Sequence, residues 1–188
     1  MINTPTIITL LRFALTIIMI IFYFIDTVHA FILPLFVLAA LSDWLDGYLA
    51  RKMKLQTSFG AFLDQFADKF LVASSLIILA VSYQTVWITL PTLLIINRDL
   101  LMASFRHFAS EQQLSHLVKV NRLGKMKTAI QLIAIGLLLS YPGLVSYHFF
   151  YYLGVFGLNI SACLGWIGFV TYCLLLSKEL GTLHKNHT

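Results

Sequence analysis

The stretch that decides the fold runs from residue 31 to residue 82 and reads FILPLFVLAALSDWLDGYLARKMKLQTSFGAFLDQFADKFLVASSLIILAVS. It contains two long apolar segments, 31–50 and 60–82, joined by a short loop that carries Arg51, Lys52 and Lys54. Each segment has about the length of a helix that crosses a bilayer, roughly 17–25 residues. Backbone amides in lipid must be satisfied within their own segment, so both segments are predicted to be helices. The short loop makes them adjacent and antiparallel.

Similar apolar segments flank this pair, at residues 5–25, 86–108, 124–141 and 148–176. The chain of 188 residues is 59% hydrophobic and only 11% charged, whereas soluble domains carry about a quarter charged residues. These features predict an all-α, polytopic membrane protein with six transmembrane helices in a single domain, 1–188. The sixth segment is longer than a span needs and is expected to tilt or protrude.

The charges of the loops predict the orientation in the membrane. Lys and Arg occur in the loops after the second and fourth segments and in the C-terminal tail, whereas residues 26–30, 83–85 and 142–147 contain neither. The positive-inside rule then places both termini in the cytoplasm. These loops account for much of the net charge of +5, and no solvated basic region remains that could hold nucleic acid.

Charged residues inside spans are costly and are functional candidates for that reason. With the predicted orientation, all of them fall in the cytoplasmic half of their helix: Arg12, Asp43, Asp46, Asp64, Asp68, Lys69, Arg98, Asp99, Arg106, Lys125 and Lys127. We therefore expect a water-accessible cavity open to the cytoplasm. Acidic groups from the second and third helices would line one side, and basic groups from the fourth and fifth the other.

The acidic side consists of two pairs of aspartates. Asp43 and Asp46 are three residues apart and Asp64 and Asp68 are four apart, so each pair shares a helix face. Four bare carboxylates at one depth would repel one another and be costly in a low dielectric. Hard divalent cations remove that cost, so the cluster predicts a Mg²⁺ or Mn²⁺ site. The alternative is that the aspartates only pair with nearby Arg and Lys and hold helices together.

Small residues lie beside these carboxylates. Gly47 and Ala50 follow the first pair on nearly the same face, and Gly60 lies one turn before Asp64. Positions without bulk allow a ligand or a neighbouring backbone to approach closely. Helix packing is one interpretation, and the neighbouring carboxylates favour access for a ligand.

Other polar and small residues are predicted to carry no chemistry. A stripe in the sixth segment, Gly157, Ser161 and Gly165, is expected to pack against another helix. Cys163 and Cys173 lack a paired or metal-binding spacing and are expected to be structural. No histidine shares a helix with another ligand at metal-binding spacing, so the histidines are assigned to the solvated surface.

Residues 43–68 read DWLDGYLARKMKLQTSFGAFLDQFAD. This stretch resembles the signature of the CDP-alcohol phosphatidyltransferases, D-x2-D-G-x2-A-R-x8-G-x3-D-x3-D. All its fixed positions are present: Asp43, Asp46, Gly47, Ala50, Arg51, Gly60, Asp64 and Asp68. The six-helix layout of that family also agrees with the segments along the whole chain.

Three further stretches are similar to the phosphatidylglycerophosphate synthase branch of the family: NTPTIITLLR at 3–12, RDLLMASFR at 98–106 and GKMKTAIQ at 124–131. Two positions depart from that branch, which usually has Pro where Gln65 stands and Glu where Asp99 stands. An Arg-Asp pair at 98–99 is similar to the eukaryotic-type cardiolipin synthases. A sister enzyme that uses phosphatidylglycerol, inositol phosphate or serine is therefore the alternative within the family.

The resemblance implies that an alcohol attacks the lipid-bearing phosphate of CDP-diacylglycerol and that CMP leaves. It implies a two-metal site on the four aspartates, with Asp68 as the general base, although Asp68 could also be a metal ligand. The nucleotide contacts that it implies are Asn3, Thr9, Asp46, Gly47, Ala50, Arg51 and Gly60. A helix-start cap is an equally good interpretation of Asn3 and Thr9.

The basic residues suit an acceptor that carries a phosphate. The implied contacts to sn-glycerol 3-phosphate are Arg98, Arg106, Lys125 and Lys127. The alternative is that these cations pair with Asp99 and with lipid phosphates, and Lys69 is expected to balance the adjacent aspartates.

The resemblance also implies a homodimer, and we expect it in a bacterial inner membrane with the active site facing the cytoplasm. A non-enzymatic alternative is a divalent-cation transporter with the carboxylates as its ion site. The outer half of the chain has no matching polar path and no half-repeat is visible, and both observations argue against transport.

Overall fold

The computed structural model describes residues 4–53, 58–111, 122–140 and 148–186. Within these ranges, side chains are not described at 4–7, 26–28, 43–53, 58, 59, 61, 122, 123, 125 and 180–186. The described chain is helical and contains no strand. Its α-helices are α1 (Thr4–Tyr23), α2 (Ile32–Met53), α3 (Ser58–Tyr83), α4 (Val86–Glu111), α5 (Arg122–Ser140) and α6 (His148–Asn186), with a 3₁₀ turn at Asp26–Phe31 between α1 and α2.

The predicted all-α architecture is confirmed, and each of the six apolar segments corresponds to one helix. Three helices contain stretches long and apolar enough to cross a membrane: Phe62–Tyr83, Val86–Glu111 and His148–Glu179. The apolar parts of the other three are shorter, at Ile8–Tyr23, His29–Ser42 and Met126–Ser140. The protein is therefore an integral membrane protein, and the number of six spans stays a prediction.

The sixth helix is longer than the sequence pattern indicates. It has 39 residues, which corresponds to about 58 Å at 1.5 Å per residue. The hydrocarbon core of a bilayer is only about 30 Å thick. Helical structure therefore continues beyond the apolar segment into the polar tail.

Helix α1 has its polar side chains inside the bundle and its large apolar side chains outside. Thr9, Arg12, Thr16 and Met19 are buried, and their spacing of three and four residues defines one helix face. The outward positions are Leu10, Leu11, Ile17, Ile18 and Ile21. This arrangement suits a helix whose outer face meets lipid and whose inner face packs on α2 and α3.

A proline in α4 is compensated by a side chain of α6. Pro91 lies inside the helix and has no N–H to donate to the carbonyl of Trp87. The Nδ2 atom of Asn159 donates to that carbonyl at 3.0 Å. A second contact joins the same helices, because the indole Nε1 of Trp166 donates to the carbonyl of Leu94 at 3.1 Å.

Helices α5 and α6 cross closely at the small residues of α6. A Cβ added at Gly157 would lie 3.2 Å from the Cβ of Ala134, and one added at Gly165 would lie 3.1 Å from Cε of Lys127. Ser161, between them, is fully buried. The prediction that this stripe packs against another helix is confirmed.

Replacing Gly154 tests how tight this crossing is. A Cβ there would lie 2.8 Å from Cγ of Leu138 and 3.3 Å from the carbonyl oxygen of Ala134, so Gly154→Ala should force α5 and α6 apart. Overpacking of this kind typically costs about 1–3 kcal/mol, and we expect a lower unfolding temperature by fluorescence-detected melting.

Gly168→Ala is the matched control in the same helix, because nothing lies within 4 Å of its added Cβ. It should leave the unfolding temperature unchanged or raise it slightly, since alanine favours helix more than glycine does. Equal unfolding temperatures for the two variants would contradict the close crossing.

Candidate active site

Apart from Asn3, the predicted site residues lie on α1 to α5, and the structure describes part of their side chains. Asp64, Asp68, Gly60, Thr9, Arg98, Arg106 and Lys127 are described. Asn3 lies outside the described residues. At the remaining predicted positions of α2 and α5 only the backbone is described: Asp43, Asp46, Gly47, Ala50, Arg51 and Lys125.

Asp64 on α3 forms an ion pair with Arg12 on α1. The Nη1 atom of Arg12 donates to Oδ1 of Asp64 at 3.0 Å. The Nε atom of the same guanidinium lies 3.4 Å from Oγ of Ser42 on α2, and that hydroxyl donates to the carbonyl of Ala39 at 2.7 Å. Arg12 therefore joins the two helices that carry the aspartates. In the sequence alone, Arg12 is only a single charge in an apolar segment.

Thr9 lies on the same buried face of α1, one turn before Arg12, and is 3% exposed. Helix α1 begins at Thr4, so Thr9 is inside the helix and the interpretation of Thr9 as a helix-start cap is wrong. A contact between Thr9 and a nucleotide remains a prediction.

Of the four aspartates in the predicted metal site, the side chains of two, Asp64 and Asp68, are described, and both are suitable ligands for a divalent metal. Asp64 and Asp68 are one turn apart on α3, and carboxylate oxygens are the donors that Mg²⁺ and Mn²⁺ prefer. Asp64 uses one oxygen for Arg12, and its other oxygen has no partner among the described side chains. The Asp64 side chain is 47% exposed, so a ligand has access to it. Among the residues whose side chains are described, no three His, Cys, Asp or Glu form a metal-binding group, and the predicted partners Asp43 and Asp46 are not among those residues.

A second charged cluster is centred on Asp99 of α4. Its Oδ1 accepts from Nη1 of Arg98 at 2.7 Å and from Nζ of Lys127 at 3.4 Å, and its Oδ2 accepts from Nζ of Lys69 at 2.9 Å. The side chains of Asp99, Arg98 and Lys127 are 11%, 15% and 6% exposed, and that of Lys69 is 46% exposed. We call these four residues the Asp99 cluster. Three cations and one carboxylate give the cluster a net charge of +2.

The Asp99 cluster also contacts α6. The Nε atom of Arg98 donates to the carbonyl of Gly165 at 3.1 Å. The Lys127 side chain lies over Gly165, where a Cβ would come within 3.3 Å of Nζ. Glycine at position 165 therefore leaves room for the Lys127 side chain and its ammonium group.

The cluster corrects one expectation from the sequence. Lys69 was expected to balance the neighbouring aspartates, but it pairs with Asp99. Adjacent residues on a helix point about 100° apart, and Lys69 accordingly faces α4. The alternative interpretation, in which the basic residues pair with Asp99, is therefore observed for Arg98 and Lys127. Because three cations surround one carboxylate, the cluster still has an excess of positive charge.

A cavity of about 570 Å³ lies between α3 and α4 beside the cluster. Its charged and polar groups come from Gln65, Lys69, Asp99, Arg106 and His107, and the remaining lining is apolar, as at Phe66. Arg106 comes eight residues after Arg98 in the sequence, or about 12 Å along the helix. The cavity therefore has both cationic groups and an apolar wall, as an amphiphilic substrate requires.

The opposite end of the bundle has a different character. A cavity of about 890 Å³ there is lined by residues such as Tyr23, His29, Ile78 and Leu138, and among the described residues that line it none is Lys, Arg, Asp or Glu. Within the part of the chain that the structure describes, the buried ion pairs thus lie away from this cavity.

Asp99→Asn tests the cluster. The substitution leaves three cations around a neutral amide, and breaking a buried pair typically costs about 3–5 kcal/mol. We expect a clearly lower unfolding temperature. Glu111→Gln is the control, because Glu111 pairs with His107 at 3.4 Å with both side chains largely exposed and such pairs contribute little. Similar effects of the two substitutions would contradict the central position of Asp99.

Comparison with known proteins places the chain in a family. Residues 2–174 match the model of the CDP-alcohol phosphatidyltransferase family. The chain is 34% identical over 183 residues to the CDP-diacylglycerol–glycerol-3-phosphate 3-phosphatidyltransferase of Wigglesworthia glossinidia brevipalpis, a match covering 95% of this chain and 97% of that protein.

Relatives with the same activity in their names occur in other bacteria and in plants. The Pectobacterium atrosepticum protein is 41% identical over 142 residues, which cover 74% of this chain and 78% of that protein. The second such enzyme of Arabidopsis thaliana is 42% identical over 151 residues, 74% of this chain and 65% of the plant protein. The family match along nearly the whole chain, together with these relatives, establishes that this protein belongs to the CDP-alcohol phosphatidyltransferase family.

Proposed function

We propose that this protein transfers the phosphatidyl group of CDP-diacylglycerol to sn-glycerol 3-phosphate, giving phosphatidylglycerophosphate and CMP. In this reaction the acceptor hydroxyl forms a bond to the lipid-bearing phosphorus, and the bond from that phosphorus to the CMP oxygen breaks. The observation that supports the proposal is the Asp99 cluster. It has three cations to one carboxylate, and it lies close to the aspartates of α3. The names of the relatives above agree with this activity.

The charge of the cluster matches the acceptor. A phosphate monoester carries about −1.5 to −2 charge at pH 7, which is close to the excess of +2 in the cluster. Arg98 offers a planar guanidinium and Lys127 an ammonium, and both groups bind phosphate oxygens by charge-assisted hydrogen bonds. We assign acceptor-phosphate binding to Arg98, Arg106, Lys125 and Lys127.

The donor belongs on the side of the aspartates. Two divalent cations, Mg²⁺ or Mn²⁺, would be held by Asp43, Asp46, Asp64 and Asp68. When bound, they would neutralise charge on the diphosphate and on the departing CMP. Transfer at phosphorus depends mainly on positioning and charge stabilisation, so these residues act mainly by fixing the donor.

Asp68 is proposed to accept the proton of the acceptor hydroxyl. It is on α3 next to Lys69, and Lys69 pairs with Asp99, so Asp68 adjoins both groups of charges. A carboxylate is a weak base, which is sufficient for an alcohol whose acidity is raised in the site. Asp68 could also bind metal.

The cytidine half of the donor is assigned to the start of α1 and to the facing surfaces of α2 and α3. The proposed contacts are Asn3, Thr9, Asp46, Gly47, Ala50, Arg51 and Gly60. Small residues at positions 47, 50 and 60 leave room for a flat nucleotide against helix backbone. Arg51 would neutralise a phosphate of the same molecule.

We further propose that the six helices all span the membrane as one domain, 1–188, with both termini and the active site on the cytoplasmic side. The distribution of Lys and Arg among the loops supports this orientation. A bacterial inner membrane is the expected location, and a homodimer the expected assembly.

The alternatives within the family differ in the acceptor. A cationic cluster favours acceptors that carry phosphate, such as glycerol 3-phosphate, inositol phosphate or phosphatidylglycerol, over serine. Asp99, where the glycerol 3-phosphate branch usually has Glu, is the feature that keeps cardiolipin synthesis as the second candidate. Membership of a transferase family and the absence of Lys, Arg, Asp and Glu among the described residues that line the opposite cavity argue against a cation transporter.

The direct test supplies purified protein with CDP-diacylglycerol, Mn²⁺ and one acceptor at a time, and measures CMP and the lipid product. We expect CMP and phosphatidylglycerophosphate with glycerol 3-phosphate, and no product with serine. Cardiolipin formed from phosphatidylglycerol would overturn the choice of acceptor. Metal flux into liposomes without CMP release would overturn the enzyme assignment.

Lys127→Gln tests the acceptor side. Loss of a charge-assisted hydrogen bond to phosphate removes about 1.5–3 kcal/mol, so we expect the KM for glycerol 3-phosphate to rise about tenfold or more while the KM for CDP-diacylglycerol changes little. Lys178→Gln is the control, because Lys178 is exposed near the end of α6. An equal rise in both KM values for Lys127→Gln would count against a specific contact with the acceptor.

A further inference from the structure

Arg12 is the most deeply buried cation in the described part of the chain. Its residue exposure is 0%, whereas a charged side chain in an apolar surrounding is costly unless it is paired. Its guanidinium contacts Asp64 on α3 at 3.0 Å and Ser42 on α2 at 3.4 Å. Neither the signature at 43–68 nor the proposed acceptor contacts include Arg12.

We propose that Arg12 is a positioning residue for the acidic side of the site. It holds the Asp64 carboxylate by one oxygen, and it supplies a permanent positive charge to the aspartates when no metal is bound. The proposal deepens the proposed function and rests on it, because it concerns the same carboxylates.

The ion pair with Arg12 engages one side of the Asp64 carboxylate. Only Oδ1 of Asp64 is used by Arg12, and Oδ2 has no partner among the described side chains. The Asp64 side chain is 47% exposed although its partner is fully buried. A carboxylate held in this way has one oxygen fixed on the inner side and the other available on the open side of the site.

Through Ser42, Arg12 also contacts the helix that carries the other aspartate pair. Ser42 directly precedes Asp43 in α2, so one guanidinium contacts a member of one aspartate pair and the neighbour of the other pair. A planar guanidinium presents several N–H groups in fixed directions, whereas an ammonium group on a flexible stem does not. Arginine at position 12 therefore fixes the relative position of α2 and α3 at the aspartates.

Arg12 also changes the balance of charge around the aspartates. Four ionised aspartates near one another in a membrane bundle repel each other until cations bind. Arg12 reduces this repulsion in the metal-free protein. Its loss should therefore destabilise the metal-free protein more than the metal-loaded protein.

The test measures unfolding temperatures of the full-length protein in detergent, once with EDTA and once with saturating Mn²⁺. We expect Arg12→Gln to lower the unfolding temperature by about 5 °C or more in EDTA and by much less in Mn²⁺. In the Asp64→Asn background the effect of Arg12→Gln in EDTA should largely disappear, because coupled residues are not additive. Ser75→Ala is the control: its hydroxyl bonds to the carbonyl of Leu71, and its effect should be equal in both conditions.

Arg12→Lys separates charge from geometry, and it also provides a result if Arg12→Gln does not fold. We expect an unfolding temperature in EDTA close to that of the original protein, with kcat lower by about tenfold or more and an unchanged KM for CDP-diacylglycerol. A kcat close to the original value would overturn the positioning role.

Two results of the melting experiment would also overturn the proposal: equal destabilisation by Arg12→Gln in EDTA and in Mn²⁺, or an undiminished effect in the Asp64→Asn background. The melting experiment does not use the transfer reaction. A protein with no transferase activity but with the expected metal-dependent melting would therefore refute the proposed function and leave the role of Arg12 supported.

Discussion

A charge inside an apolar helix bundle must have a partner within reach, and the arrangement of this protein depends on that constraint. Arg12 meets Asp64 at 3.0 Å, and Asp99 meets three cations at 2.7–3.4 Å. These ion pairs connect α1 to α3, and α4 to α3 and α5. The bonds from Arg12 to Ser42 and from Arg98 to the carbonyl of Gly165 add α2 and α6. Because Asp64 and Lys69 are only five residues apart on α3, both sets of charges lie at the same part of the bundle.

The predicted four-aspartate site is acidic, whereas the Asp99 cluster has an excess of positive charge, and in the proposed function this difference relates the structure to phosphate chemistry. In the proposed function the aspartates would bind divalent cations that hold a diphosphate, and the positive excess of the Asp99 cluster would bind an anionic acceptor. The cavity of about 570 Å³ between α3 and α4 adds an apolar wall beside Lys69 and Arg106. A lipid-linked diphosphate and a small phosphorylated alcohol have the charges and the polarity that this arrangement would accommodate.

The sequence predicted the helices well because each is a local apolar run, whose length and composition suffice to identify it. It predicted less well which charges meet, since that depends on how helices are rotated against one another. Arg12 and Asp64 are 52 residues apart in sequence, and no periodicity relates them. Lys69 was assigned to its sequence neighbours, but it faces α4. The bond from Asn159 to the carbonyl that Pro91 leaves free is likewise visible only once α4 and α6 are packed.

The central claim is that the aspartates of α2 and α3 hold divalent metal opposite a cationic site for the acceptor. The most direct measurement is anomalous diffraction from crystals of the protein grown with Mn²⁺ and CDP-diacylglycerol. The account predicts manganese peaks within about 2.0–2.6 Å of carboxylate oxygens of the four aspartates, with the donor diphosphate on the metals and the Asp99 cluster facing it. Manganese bound elsewhere, with Asp64 and Asp68 engaged only by cationic side chains, would contradict it.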